Sequence, residues 1–370
     1  MDEQIYKSTG KKTLFDQQFA AEKLSEIGNP LEKIAKVIDF EMFRPLLEVK
    51  LLNTSKKNNA GAKPFDVVLM FKIMILQRYY GLGDKQVEYQ ILDRTSFKNF
   101  LGLETGDKVP DEKTVWAFRE KLTGSGLVED LFAQFNDYLE QKELILNQGQ
   151  MLDASFTVAP RQRNTREENQ KIKDGEGGDL WNDSPHKKSH KDIDARWTKK
   201  NNENFYGYKN HAKVDTKSKF LKKYAVTGAS VHDSQATEDL LDEQDEGQEL
   251  HADSAYTGET QEGTIAKYKM VNQVHEKGYK NSPLTEEQKK SNTEKSRTRA
   301  RVEHVFGFME QSMHGLKLKS IGIARDNRAD QFDLQSVQVR TGNQIEYIAR
   351  KGITADNSRI SDEKTRISVA

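Results

Sequence analysis

The sequence predicts an α/β (α+β) chain, with a helical N-terminal domain followed by a mixed sheet flanked by helices. Three observations carry this. Apolar residues recur at helical spacing through residues 1–143. From Leu144 the pattern shifts to short, strand-like apolar runs. Beyond that point the order reads strand, hairpin, helix, strand, helix, strand, helix, which places helices over a sheet. A length of 370 residues accommodates two domains. We divide it as 1–143 and 144–325, with 326–370 as an atypical tail expected to be disordered.

In the first domain, Asn29-Pro30 pairs a capping residue with a favoured first helical position and opens a helix through Leu31, Ile34, Val37 and Ile38. Pro64 opens a second helix, apolar almost all round from Phe65 to Leu76, which is the mark of an interior helix. Gly81-Leu82-Gly83-Asp84 ends it and caps the next, which carries Val87, Ile91 and Leu92. Ser96 to Phe100 reads as a short turn. After Pro110-Asp111 comes a helix lined by Val115, Phe118 and Leu122. Trp116, Tyr79 and Tyr80 are expected in the core. Helix spacing alone suits a DNA-binding domain and a plain bundle equally.

In the second domain, Leu144-Ile145-Leu146 and Met151 to Val158 read as strands. Arg161 to Asn204 is polar, rich in glycine and basic residues, and reads as a loop or flexible insertion. Phe205 to Val214 and Phe220 to Val231 form a hairpin around Thr216-Lys217-Ser218-Lys219. Glu238–Leu241 and Glu262–Tyr268 read as helices, and Glu249–Ala252 and Met270–His275 as strands. After a charged loop, Val302, Phe306, Met309 and Met313 form one apolar stripe of a last helix.

Composition narrows the chemistry. Charged residues make up 31% and hydrophobic ones 35%, with a mean hydropathy of −0.84. Lys and Arg balance Asp and Glu, so net charge does not announce a nucleic-acid binder, yet Arg161 to Lys223 is basic while Glu238 to Glu249 is acidic. The absence of cysteine excludes disulfides, thiolate catalysis and Cys-based zinc sites. No apolar run has membrane-spanning length and no cleavable signal opens the chain, which makes the cytoplasm the expected compartment.

Three acids stand out. Asp153 lies on a strand, Asp253 ends another, and Glu303 sits beside the apolar stripe of the last helix, four residues after Arg299. A lone glutamate on a helix is ordinarily a solvated charge. Together, however, three carboxylates make an oxygen-only donor set suited to a hard divalent ion. Arg299 is the nearest candidate for offsetting their repulsion. Lys209 and His211 share one face of their strand and could touch a phosphate; His211 and His251 also read as structural histidines. Arg196, Trp197, Lys199 and Lys200 mix cations with an aromatic, a combination that can hold a DNA backbone and stack a base, or form a solvated loop.

The strings Leu152-Asp153-Ala154-Ser155, Asp194 to Lys200, Tyr206 to His211, Ala252 to Tyr256 and Arg301 to Gly307 fall in an order that resembles insertion-sequence transposases of the IS5/IS4 type. The resemblance covers roughly residues 12–325. It implies a ribonuclease H-like DDE catalytic domain, with Asp153 bridging two Mg²⁺ ions (or Mn²⁺) and Asp253 and Glu303 each completing one site. It also implies double-stranded DNA, both element ends and target, as substrate, a homodimer on DNA, and a bacterial, nucleoid-associated location. Arg299, four residues before Glu303, fits the arginine and glutamate of the family's signature and is expected to contact DNA, whereas the signature's tyrosine falls at Ser296 and its lysine at Glu310; the IS4 form is not matched, which implies an IS5-like variant or a drifted copy. Two other functions compete: a remnant that only binds DNA, and a metal-dependent nuclease without strand transfer. The tail departs too. Such proteins end in an apolar helix, whereas Asp326 to Glu346 is polar. Codons can be chosen so that the +1 frame of this stretch resembles the expected ending, which suggests a frameshift near Asp326.

Overall fold

A computed structural model describes residues 13–52, 63–200, 202–312 and 316. The helical half comprises α1 (Asp16–Ile27), α2 (Pro30–Val37), α3 (Arg44–Leu51), α4 (Val67–Tyr79), α5 (Asp84–Asp93), α6 (Thr95–Leu101), α7 (Glu112–Gly124) and α8 (Leu127–Gln141). The sheet half runs β1 (Gln150–Val158), α9 (Arg166–Lys173), α10 (Pro185–Ser189), β2 (Arg196–Lys200), β3 (Glu203–Asp215), β4 (Leu221–Gly228), α11 (Thr237–Leu240), β5 (Glu249–His251), α12 (Glu259–Lys267), β6 (Val271–Asn272) and α13 (Glu286–Ser312).

The capping chemistry explains the helix starts. The Asn29 side chain accepts the Leu31 N–H at 3.1 Å and Pro30 takes the first helical position. α4 begins at Val67 rather than at Pro64, because the Asp66 carboxylate accepts the Val68 and Leu69 N–H groups, both at 2.9 Å. Its Ile73, Met74 and Leu76 are buried, so α4 is the interior helix the sequence predicts. Ser96 to Phe100 belongs to a full helix, α6, instead of a turn.

Two further expectations are overturned. Trp116 is 52% exposed, since Val115 and Leu122 take the buried stripe of α7 and leave its neighbour facing outward. Leu144 to Leu146 forms no strand; Ile145 packs into the helical core instead. The halves are joined through Phe132 of α8, which meets Tyr224 of β4 edge-on at 5.4 Å.

The sheet is mixed. β3 pairs antiparallel with β1, β2 and β4, whereas β5 runs parallel to β1 and β6 parallel to β5. Directly opposed residues share a face, so the register sorts the side chains. Met151, Ala212 and Val214 face α13 and pack with its buried Val302, Val305, Phe306 and Met309. Leu152 faces the other way, with Leu240, Leu250, Ala252 and Tyr256. Val302, Phe306 and Met309 are thus the buried stripe that the sequence predicts; Met313 and the tail from 326 lie outside the described residues. Gly207 is obligatory at its position: its φ is 147°, and a Cβ there would sit 2.1 Å from the Thr157 carbonyl oxygen.

Residues 161–204 are more ordered than the sequence suggests. Thr165 and Glu168 cap α9 reciprocally. The Asp192 carboxylate, buried beneath β3, accepts the Tyr208 hydroxyl at 2.7 Å and the Asp194 and Ala195 N–H groups, both at 2.9 Å. These bonds hold β2 against the sheet. The charged stretch expected as a loop before Arg299 is instead the first half of α13, a helix of 27 residues.

Candidate active site

The parallel register matches Gln150 with Leu250 and Met151 with His251. Carried two residues further, it sets Asp153 level with Asp253, just past the end of β5. Asp153 lies on the face that packs on α13, and its side chain is 18% exposed. One carboxylate oxygen accepts the Ala154 N–H at 2.9 Å. Burial pushes its pKa up from 3.8 to about 6; the Asp253 charge adds to this, while Arg299 and Lys200 oppose it. Asp253 caps the single turn Ser254–Tyr256 and accepts the Ala255 N–H at 2.8 Å.

Glu303 projects from the edge of α13, where its side chain is 57% exposed. Arg299, one turn earlier, spans two of the acids. One guanidinium nitrogen lies 3.5 Å from Asp153 Oδ2 and another 2.8 Å from Glu303 Oε1. The apolar stripe of α13 fixes this placement by anchoring the helix across the sheet.

Three carboxylates are the donors a hard ion takes, so the chemistry of the set fits Mg²⁺. Among the described residues no three such side chains are drawn together tightly enough to hold one ion, and the guanidinium offsets the charge of Asp153 and Glu303.

The predicted DNA contacts divide. Trp197, Lys199 and Lys200 are exposed on β2, and the Arg161 guanidinium lies 5.5 Å from the centre of the Trp197 ring. Arg196 turns inward, donating to the carbonyls of Ile193 at 2.7 Å and Ile172 at 3.0 Å. Lys209 and His211 oppose Phe156 and Ala154, on the face of the sheet away from Asp153. Lys209 pairs with Asp233 at 2.6 Å. His211 has no exposed surface, bonds Thr227 at 2.9 Å, and is held neutral by burial, which lowers its pKa to about 4. Of its two readings the structural one fits. His251 is buried as well, and its ring contacts Glu249 at 3.1 Å.

Two residues beside the acids were not singled out from the sequence. Tyr256 is buried, with its hydroxyl left unbonded and its pKa raised by burial and by Asp233, Asp153 and Asp253. Its spacing of three from Asp253 is one turn of a 3₁₀ helix, a signal that was available. His275 extends the line of β6, its backbone N–H donating to Ala252 O at 3.1 Å, and its ring lies 3.4 Å from Ser296 Oγ. Burial and Arg299 lower its pKa against the pull of Asp253. No spacing in the sequence ties it to the acids.

The structure thus sets a mixed sheet crossed by a helix, with one acid on a strand, one just past a strand end and one on that helix. Residues 148–328 match the model of the transposase DDE domain, and residues 19–121 match that of a second transposase domain, DUF772. Together the two matches support a DDE transposase. No solved structure matches the chain. Among the described residues no helix is long and apolar enough to cross a membrane.

Proposed function

We propose that this chain is an IS5-like DNA transposase that cleaves the ends of its element and joins the freed 3′ ends to target DNA. The observation that supports the reading is the pairing of the acids in two steps: strand register carries Asp153 level with Asp253, and Arg299 contacts both Asp153 and Glu303. Asp153, Asp253 and Glu303 would hold Mg²⁺, with Mn²⁺ as a substitute. When bound, such ions activate the attacking oxygen and stabilise the leaving 3′ oxygen. The chain's own groups do the rest. Asp153 orients through its bond from the Ala154 N–H, and Asp253 is fixed by its cap on the following turn. Trp197 and Lys199 share one face of β2 and Lys200 takes the other, so the strand would offer an aromatic and a cation on one side and a second cation on the other to the DNA backbone and a base. Two element ends must be handled together, so a homodimer on DNA is part of this reading.

The test is a duplex carrying the element's terminal repeat, incubated with Mg²⁺. Cutting with joining supports a transposase, cutting alone a nuclease, and binding alone a remnant that keeps only its DNA contacts. Asp253→Ala should abolish cutting and spare binding. Retained cutting would remove Asp253 from the site.

A further inference from the structure

Arg299 is placed unlike an ordinary surface arginine. Its side chain is 21% exposed, its Nε is buried without a hydrogen-bond partner, and its two terminal nitrogens address acids from different elements. Asp153 Oδ1 already receives the Ala154 N–H, and Oδ2, its other oxygen, is the one that Arg299 addresses. Glu303 Oε1 is engaged in the same way at 2.8 Å. A planar fork is suited to such a double contact, whereas a lysine ammonium holds two separated carboxylates poorly.

We propose that Arg299 is an internal counter-cation that competes with the divalent ion for Asp153 and Glu303, and that its displacement makes it available to a DNA phosphate. The inference rests on the reading above that these acids bind the ion. An ion takes carboxylate oxygens at about 2.0–2.1 Å, so it claims the lone pairs that the guanidinium now uses. α13 is pinned by Val302 and Val305, so the exchange is a side-chain rotation and not a helix movement. Because one group serves two ligands in turn, ion and DNA binding become linked, each strengthening the other.

The experiment is Mn²⁺ binding to the full chain without DNA, followed by electron paramagnetic resonance at fixed pH. Arg299→Gln should bind Mn²⁺ about tenfold more tightly than the wild type, within the usual range of such couplings. Arg299→Lys keeps the charge and loses the fork, and it should bind more tightly as well. If the lysine variant matches the wild type, or neither variant differs from it, the proposal is overturned. A second arm measures duplex affinity with and without Ca²⁺ as a probe ion. The wild type should gain affinity with Ca²⁺ and Arg299→Gln should not; equal gains would also overturn it. Asp253→Ala separates the two ideas. If Mn²⁺ binding is indifferent to that change, the ion site itself is wrong, whatever Arg299 does.

Discussion

Asp153→Asn should stabilise the fold at neutral and alkaline pH while destroying the site. The carboxyl titrates near 6 rather than 3.8, chiefly because burial disfavours its charge. A raised acid pKa means that the folded chain holds the proton more tightly than the unfolded chain does. Its contribution to stability is therefore greatest below pH 3.8, falls as pH rises to about 6, and stays at its low level above that. Two units at about 1.4 kcal/mol each amount to roughly 3 kcal/mol at pH 8. Asparagine keeps the shape without the charge and should recover much of this. Urea denaturation with EDTA present, at pH 8 and near pH 4, measures it. The gain should be large at pH 8 and nearly absent at the lower pH. An asparagine variant no more stable than the wild type at pH 8, or one whose gain is the same at both, would refute the reasoning.

Other outcomes follow from the same geometry. Gly207→Ala should cost more than about 3 kcal/mol, because a Cβ at 2.1 Å from the Thr157 carbonyl parts β3 from β1; circular dichroism melts would register it. Trp197→Ala should weaken DNA binding roughly tenfold, the loss of one stacking contact; fluorescence anisotropy decides. A chain with the reading frame restored after Asp326 should melt higher than this one, as each large aliphatic side chain newly buried contributes about 1.5–3 kcal/mol. Sequencing the gene tests the premise, and an alternative frame without an apolar ending removes it.

Much of the architecture could be read in the residues because it depends on local periodicity. The apolar run of α4, the stripe of α13 and the alternation around Thr216 each report a burial pattern that one element carries by itself. Trp116 shows the limit. Hydrophobicity alone suggested a core position, but the helix can bury one stripe, and Val115 with Leu122 claims it. The polar segment 161–204 misled for the opposite reason. Its order comes from buried hydrogen bonds, such as Tyr208 to Asp192, which leave no apolar trace.

The site divides along the same line. The order of the three acids, and the placing of Asp153 on a strand and Glu303 on a helix edge, were set by sequence, because short-range patterning decides which residues end a strand or flank a stripe. Sequence likewise paired Lys209 with His211 on one face of β3. Which face Asp153 would take was beyond it, since that depends on the register between β1 and β3, a long-range choice made by packing against α13. That choice turned Lys209 and His211 away from Asp153 and, with α13 packed on the same face, brought Arg299 between two acids 150 residues apart in the chain.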